Sequence, residues 1–553
     1  MSFVNQITLP QDVLDRVARV LEYHDSTKHT PEEVHANPHK PDPDNKPYEF
    51  RIFEHIPALP LPSGLLDLPV HALGLMEHGF AALPGSAPEP PAQDLKTLGT
   101  WLHFADGIAS RKRLVTQTVF TRTCASDGHT FPCEIYIAAF AVDGLEPGLY
   151  HYSPREFALR KLRGGAETLA RLTRGRPDLA FLKTVPCAML VSTIFCRATW
   201  RFGKRGYRHA IHDAGYLIQN LVTVATGLGV QTMTRLILND AAGRDLIGVP
   251  ADADFSEAEA VQALVVWADR ARKPMALAPA AAPHAPAAVR NAPMPPISRS
   301  LLANEVTPYV SIIATHQDCV APGVAVREVR PPLTDLSPLP PNFPTIEPLL
   351  GVGGSPPGEA LRNILVSRAA STHFGSRPIP RQHFYLINRL AFRGGTFFPL
   401  HPDGPHVALV RPLWVIHPAG VDGFEPGIWY YNPLSDHWSH IRHGDFRKEA
   451  AYLALEQPPF GRCGATCFVA ANFPHLMQMT GPDIYRLAHL ECGVVTNRTA
   501  LSTEALNLGW YETGNFYDED LRQFLGLQST GWEVLNIIAV GSRADADVVK
   551  DKS

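Results

Sequence analysis

The chain has 553 residues, 45% of them apolar and 19% charged, which points to a globular protein of two or more domains and excludes a disordered one. A formal net charge of −4 leaves no basic surplus to neutralise nucleic-acid phosphates or an anionic membrane. Eight cysteines in a chain this long do not make a disulfide framework.

The N-terminal stretch MSFVNQITLPQDVLDRV is amphipathic and charged, unlike a secretory leader, so a cytoplasmic location is expected. Proline-rich stretches at 38–46, 57–69 and 331–357 read as ordered surface arms. The block GLEPGLYHYSP (144–154) places a tight Glu-Pro-Gly turn among aromatic and β-branched residues and predicts a β-hairpin. VPCAMLVSTIF (185–195) is too short to span a bilayer and predicts a buried strand. YRHAIHDAGYLIQNLVTVATGLG (207–229) keeps apolar and small residues at helical spacing, which predicts a buried central helix. The Ala/Pro-rich run ARKPMALAPAAAPHAPAAVRNAPMPP (271–296) has neither helical nor strand periodicity and reads as a semi-rigid connector.

Beyond that run the pattern starts again. GFEPGIWYYNP (423–433) repeats the hairpin block at an offset of 279, and YRLAHLECGVVTNRTALSTEALNLG (485–509) repeats the helix block. Two blocks in the same order at nearly one offset indicate internal duplication. The expected division is therefore residues 1–270, a linker over 271–305, and residues 306–553. Cys463 and Cys467 form an isolated CxxxC, which reads as buried thiols, so no metal site is expected.

The ordered set YHDSTKH (23–29), RTCASDGHTFPCEIY (122–136), GLEPGLYHYSP and RFGKRGYRHAIHDAGYLIQNL (201–221) resembles the SagB-type dehydrogenases of the nitroreductase superfamily. That group includes the FMN-dependent azoline oxidases of thiazole- and oxazole-forming peptide pathways. GDFRKEAAYLALEQ (444–457) and TGNFYDEDLRQFLGL (513–527) are similar to its C-terminal portion. The resemblance implies an α+β fold, here as two tandem nitroreductase-like domains forming an intramolecular pseudo-dimer, with FMN held between the halves.

For one cleft, the resemblance implies phosphate contacts from Arg368, Ser371, Thr372 and Arg543, with Gly514 and Asn515 at the flavin ring edge. The loop Cys124-Ala125-Ser126-Asp127-Gly128 stands where the family places a small-residue loop against the ring. A second cleft would use His24, Ser26 and Lys28 with the loop 399–412, whose prolines and bulk suit it less; the first cleft is preferred. Azoline-oxidising relatives carry a Lys-Tyr pair where this chain has Arg201-Phe202, and arginine is a poor base. Arg201 would instead bind a carboxylate or stabilise reduced flavin, leaving His129 and His212 as candidates for proton transfer.

Three functions stay open at this point. The first is an FMN-dependent dehydrogenase or oxidase of an amino-acid- or peptide-derived substrate in natural-product biosynthesis. The second is an NAD(P)H-dependent nitro or quinone reductase. The third is a non-catalytic partner of a peptide-modifying complex. A small-molecule or peptide substrate is expected, without nucleic acid or membrane; further homodimerisation and biosynthetic partner proteins are left open.

Overall fold

The structure is a computed structural model and describes residues 9–83, 90–113, 118–174, 176–236, 241–250, 253–271, 297–320, 345–346, 358–393, 409–433 and 435–544. Most of the expected connector, much of the arm at 331–357 and most of the loop 399–412 lie outside the described residues. No described helix is long and apolar enough to cross a membrane.

The chain forms two compact units, neither of them a continuous stretch. The amino unit comprises Pro41–Val70 and Phe80–Val310. The carboxy unit comprises Met1–Lys40, His71–Gly79 and Ser311–Ser553, so it takes in the N-terminal helix Gln11–Ser26.

In the amino unit the strands are β1 (Ala58–Pro60), β2 (Ile108–Arg113), β3 (Thr118–Arg122), β4 (Cys133–Ala139), β5 (Gly148–Ser153), β6 (Ala158–Gly164), β7 (Cys187–Ile194), β8 (Thr232–Leu236) and β9 (Glu259–Trp267). β2 and β3 make a separate ribbon; the others form one antiparallel sheet ordered β1-β6-β5-β4-β7-β9-β8. CEIYIAA, CAMLVSTI and EAVQALVVW supply its middle strands, and every residue of all three is buried. Near-continuous apolar runs do this because both faces of a central strand are covered.

The carboxy unit repeats the plan with β10 (Thr345–Ile346), β11 (Arg411–Ile416), β12 (Gly427–Asn432), β13 (His437–His443), β14 (Ala465–Asn472), β15 (Leu508–Thr513) and β16 (Trp532–Ser542). Their order, β10-β13-β12-β11-β14-β16-β15, matches the first sheet strand for strand. Even the irregularities recur: β5/β6 and β12/β13 share one bulge position, and β7/β9 and β14/β16 share another. The duplication read from two sequence blocks thus extends through both sheets. Each Glu-Pro-Gly turn delivers the chain into its strand, β5 or β12.

One long helix per unit carries the second repeated block, Gly206–Gly227 and Asp483–Ala505. All of 206–227 and all of 484–505 are buried. A helix covered on every side has to satisfy its polar groups internally. Trp101 Nε1 accordingly donates to the Leu221 carbonyl at 2.8 Å, and Arg498 Nε to the Leu390 carbonyl at 2.6 Å.

In the amino unit the segment between the proline-rich stretches 38–46 and 57–69 is pinned by buried charges. Arg51 donates its backbone N–H to Glu134 at 3.2 Å and its Nη2 to Glu259 at 3.3 Å. Arg299 and Arg197 add pairs to Glu259 (3.1 Å) and Glu134 (2.7 Å).

In the carboxy unit the segment after the first helix docks on the FYDE sequence. His29 N–H donates to Asp518 Oδ2 at 2.8 Å, and Asp518 N–H returns to the His29 carbonyl at 3.2 Å. Lys28 Nζ is within 2.9 Å of Asp25, 2.8 Å of Glu519 and 3.1 Å of Glu533. Burial opposes its charge, but these carboxylates outweigh burial and raise its pKa. Lys28→Ala is expected to cost about 1–2 kcal/mol, since two of the three acids remain solvated; urea unfolding of the full chain would measure it.

Candidate functional site

In the carboxy unit, the helix Leu361–Ser367 ends at Arg368, and the next residues cross the start of the edge strand β15. Ser371 N–H donates to the Trp510 carbonyl at 2.6 Å. Gly509 permits this approach: a Cβ there would lie 2.7 Å from Ser371 Oγ. Phe374 bridges Arg543, and Gly375 N–H reaches the Ser542 carbonyl at 2.7 Å, so the end of β16 closes on the same loop.

Arg368, Ser371 and Arg543 therefore come together, each mostly buried. The group that organises them is Glu504, near the end of the long helix. It pairs with Arg543, accepts from Trp510 Nε1 at 3.0 Å and from the Ala369 N–H, and feels the charge of Arg368. Burial raises its pKa, with both arginines pulling the other way. Both guanidiniums thus act on this one carboxylate. Thr372, by contrast, is exposed and bonds to His373 Nδ1 at 2.9 Å. Gly514 and Asn515 stand past the far end of β15, about 20 Å along the strand from Leu508; Asn515 N–H donates to Thr513 Oγ1 at 3.2 Å.

In the amino unit, the loop after β3 is tied to the long helix. Ser126 Oγ donates to Asp213 Oδ2 at 2.6 Å, and its oxygen accepts from the Phe131 N–H at 2.8 Å. Asp127 receives His209 Nδ1 at 2.6 Å, and the His209 ring stacks on Phe202 with centroids 3.8 Å apart. Gly128 has φ +58, and a Cβ there would lie 2.8 Å from Phe202 Cζ and 3.1 Å from Arg201 Cγ. The loop thus abuts the Arg201-Phe202 pair through a residue that has no side chain. Cys124 is buried, with its Sγ 3.6 Å from the Ala125 carbonyl.

His129 sits at the exposed tip of this loop, whereas His212 is buried, with Nδ1 3.7 Å from Asp213 Oδ1. Burial raises the pKa of Asp213, and His212 and Ser126 oppose the rise. Residue-by-residue reading missed His209, Asp213 and Glu504. The first two are four residues apart and so share one face of a helix, a spacing that was visible in HAIHD. Cys463 and Cys467 are buried, and burial pushes the Cys463 thiol up to about 12.

The nitroreductase family model matches residues 89–266 and 416–542, more than half of the chain and a part of each unit. The chain belongs to the nitroreductase family. A protein of Methanocaldococcus jannaschii that bears the nitroreductase name is 28% identical over 128 residues, 23% of this chain. The matched stretch spans 64% of that relative, less than two thirds of its length. A crystal structure from Anabaena variabilis, described as a nitroreductase, superposes with a TM-score of 0.69 at 21% identity, covering 95% of this chain and 99% of that one; it shares the fold. The Escherichia coli McbBCD microcin synthetase complex aligns at 19% identity over 49% of this chain and 97% of its own, with a TM-score of 0.28.

Gly128→Ala is expected to cost about 1–3 kcal/mol through its left-handed backbone and the clash with Phe202. Thermal unfolding would register the loss, and histidine NMR shifts would report the disturbed His209–Phe202 stack.

Proposed function

We propose that this nitroreductase-family chain is an FMN-dependent oxidoreductase of the SagB-like kind, acting on an amino-acid- or peptide-derived substrate in natural-product biosynthesis. The observation that carries the reading is the largely buried cluster of Arg368, Ser371 and Arg543. Its donor set fits a phosphate monoester: two guanidiniums for charge and bidentate bonding, a hydroxyl, and a loop held close by glycine at 509. His24, Ser26 and Lys28 do not offer an equal site, because Lys28 is already surrounded by three carboxylates that would repel an added anion.

FMN held there would supply the two-electron redox step. In the amino unit, the loop Cys124–Gly128 and its neighbours carry groups suited to proton and substrate handling. Asp127 orients the His209 ring through Nδ1, which leaves Nε2 as the atom that takes or gives a proton. Asp213 fixes Ser126, and Arg201 offers an exposed guanidinium suited to a substrate carboxylate. His129 is the more accessible of the two histidines first considered, and His212 is the buried one.

The purified chain is expected to show flavin absorption. Arg368→Ala and Arg543→Ala should each weaken FMN binding roughly tenfold to hundredfold, as loss of a charge-assisted phosphate contact does, while Lys28→Ala retains it. Colourless wild-type protein that takes up no added FMN would overturn the proposal. Rapid bleaching of the bound flavin by NADPH would move the reading to a nitro or quinone reductase.

A further inference from the structure

In the carboxy unit, one group of three metal-ligating side chains stands out among the described residues: Glu425, His440 and His443. It lies on the β12–β13 hairpin, with Glu425 in the repeated Glu-Pro-Gly block and both histidines on β13 beyond it. We propose that these residues form a surface binding site for a divalent transition-metal ion, zinc being the natural occupant.

Backbone register brings the histidines together. Side chains three apart on a strand point to opposite faces. Here Gly427 pairs with His443, Ile428 with Arg442 and Trp429 with His440, so Ile441 is the extra residue of a bulge. The bulge absorbs one position and turns His440 and His443 to the same side. Their ring centroids are 3.8 Å apart. Glu425, two residues before β12, places Oε2 3.1 Å from His443 Nδ1. Donor atoms of all three fall within 4.8 Å of one another. Zinc bonds of 2.0–2.2 Å in tetrahedral geometry ask for donors about 3.4 Å apart, so small side-chain rotations close the set.

Two further features hold the site in shape. The His440 ring stacks on Trp429 at 4.0 Å and 8°, which limits its rotation. Gly427 lets that ring lie against the strand, since a Cβ there would run into the Arg442 carbonyl and His440 Nε2. Two imidazoles and one carboxylate suit zinc, copper or nickel rather than magnesium or calcium, and they leave coordination positions for water.

The other half of the duplication provides an internal contrast. Glu146 precedes β5 as Glu425 precedes β12, and the bulge recurs between Leu149 and Tyr150. There Tyr150 pairs with Lys161, whose Nζ meets Glu146 at 2.5 Å. Where one copy neutralises its glutamate with a lysine, the other presents two imidazoles, each with a ring nitrogen able to bind a metal ion. A lysine cannot serve as such a ligand while protonated.

The test is zinc titration of the full, chelator-treated chain by calorimetry, repeated with cobalt(II) to read ligand-field bands. One site is expected, with His443→Ala, His440→Ala and Glu425→Gln each weakening it roughly tenfold or more, as loss of a ligand does. All three groups are partly or fully exposed, so the variants should fold, and circular dichroism would confirm it. Zinc binding that survives in the His440→Ala/His443→Ala double variant, or an absence of bound zinc in the wild-type chain, would overturn the proposal.

Discussion

The buried carboxylate of Glu504 is the point on which the candidate phosphate cluster depends. It sits near the end of a helix that is covered along its length, where an unpaired charge would be costly. Arg543, Trp510 Nε1 and the Ala369 N–H supply its partners from three separate segments. One acid thereby draws together the loop after Arg368, the start of β15 and the end of β16. Two guanidiniums are brought side by side as a by-product of that packing, a donor set that suits an anion.

The amino unit uses the same device to a different end. Asp213 and His209 project from the long helix and fix Ser126 and Asp127, so the loop is held by side chains rather than by strand pairing. Gly128 then allows Phe202 and Arg201 to come within van der Waals reach. Two copies of one scaffold have kept strand order and both bulges while exchanging the chemistry displayed on them. Backbone register is constrained by the whole sheet, whereas an exposed side chain on a hairpin is constrained by its neighbours alone.

Much of the fold was legible in the chain. The apolar runs of β4, β7 and β9 and the two helix blocks announced buried elements through periodicity, and the repeated Glu-Pro-Gly turns announced the duplication. The family resemblance brought Arg368, Ser371 and Arg543 forward, and the structure places them in one cluster. Thr372, named with them, faces outward beside His373. Gly514 and Asn515 lie at the opposite end of β15 from that cluster. Glu504 carried no local signal to separate it from ordinary helix residues, and His209 carried only its four-residue spacing to Asp213.

The N-terminal segment shows where sequence reasoning stops. The family resemblance makes YHDSTKH a phosphate-binding motif, yet Lys28 is claimed by Glu519 and Glu533, some five hundred positions away. By itself the sequence determined the elements, their burial and their duplication, because periodicity and turn chemistry act over a few residues. Only the tertiary structure decided which charges meet, because ion pairing depends on distance in space and is indifferent to separation along the chain.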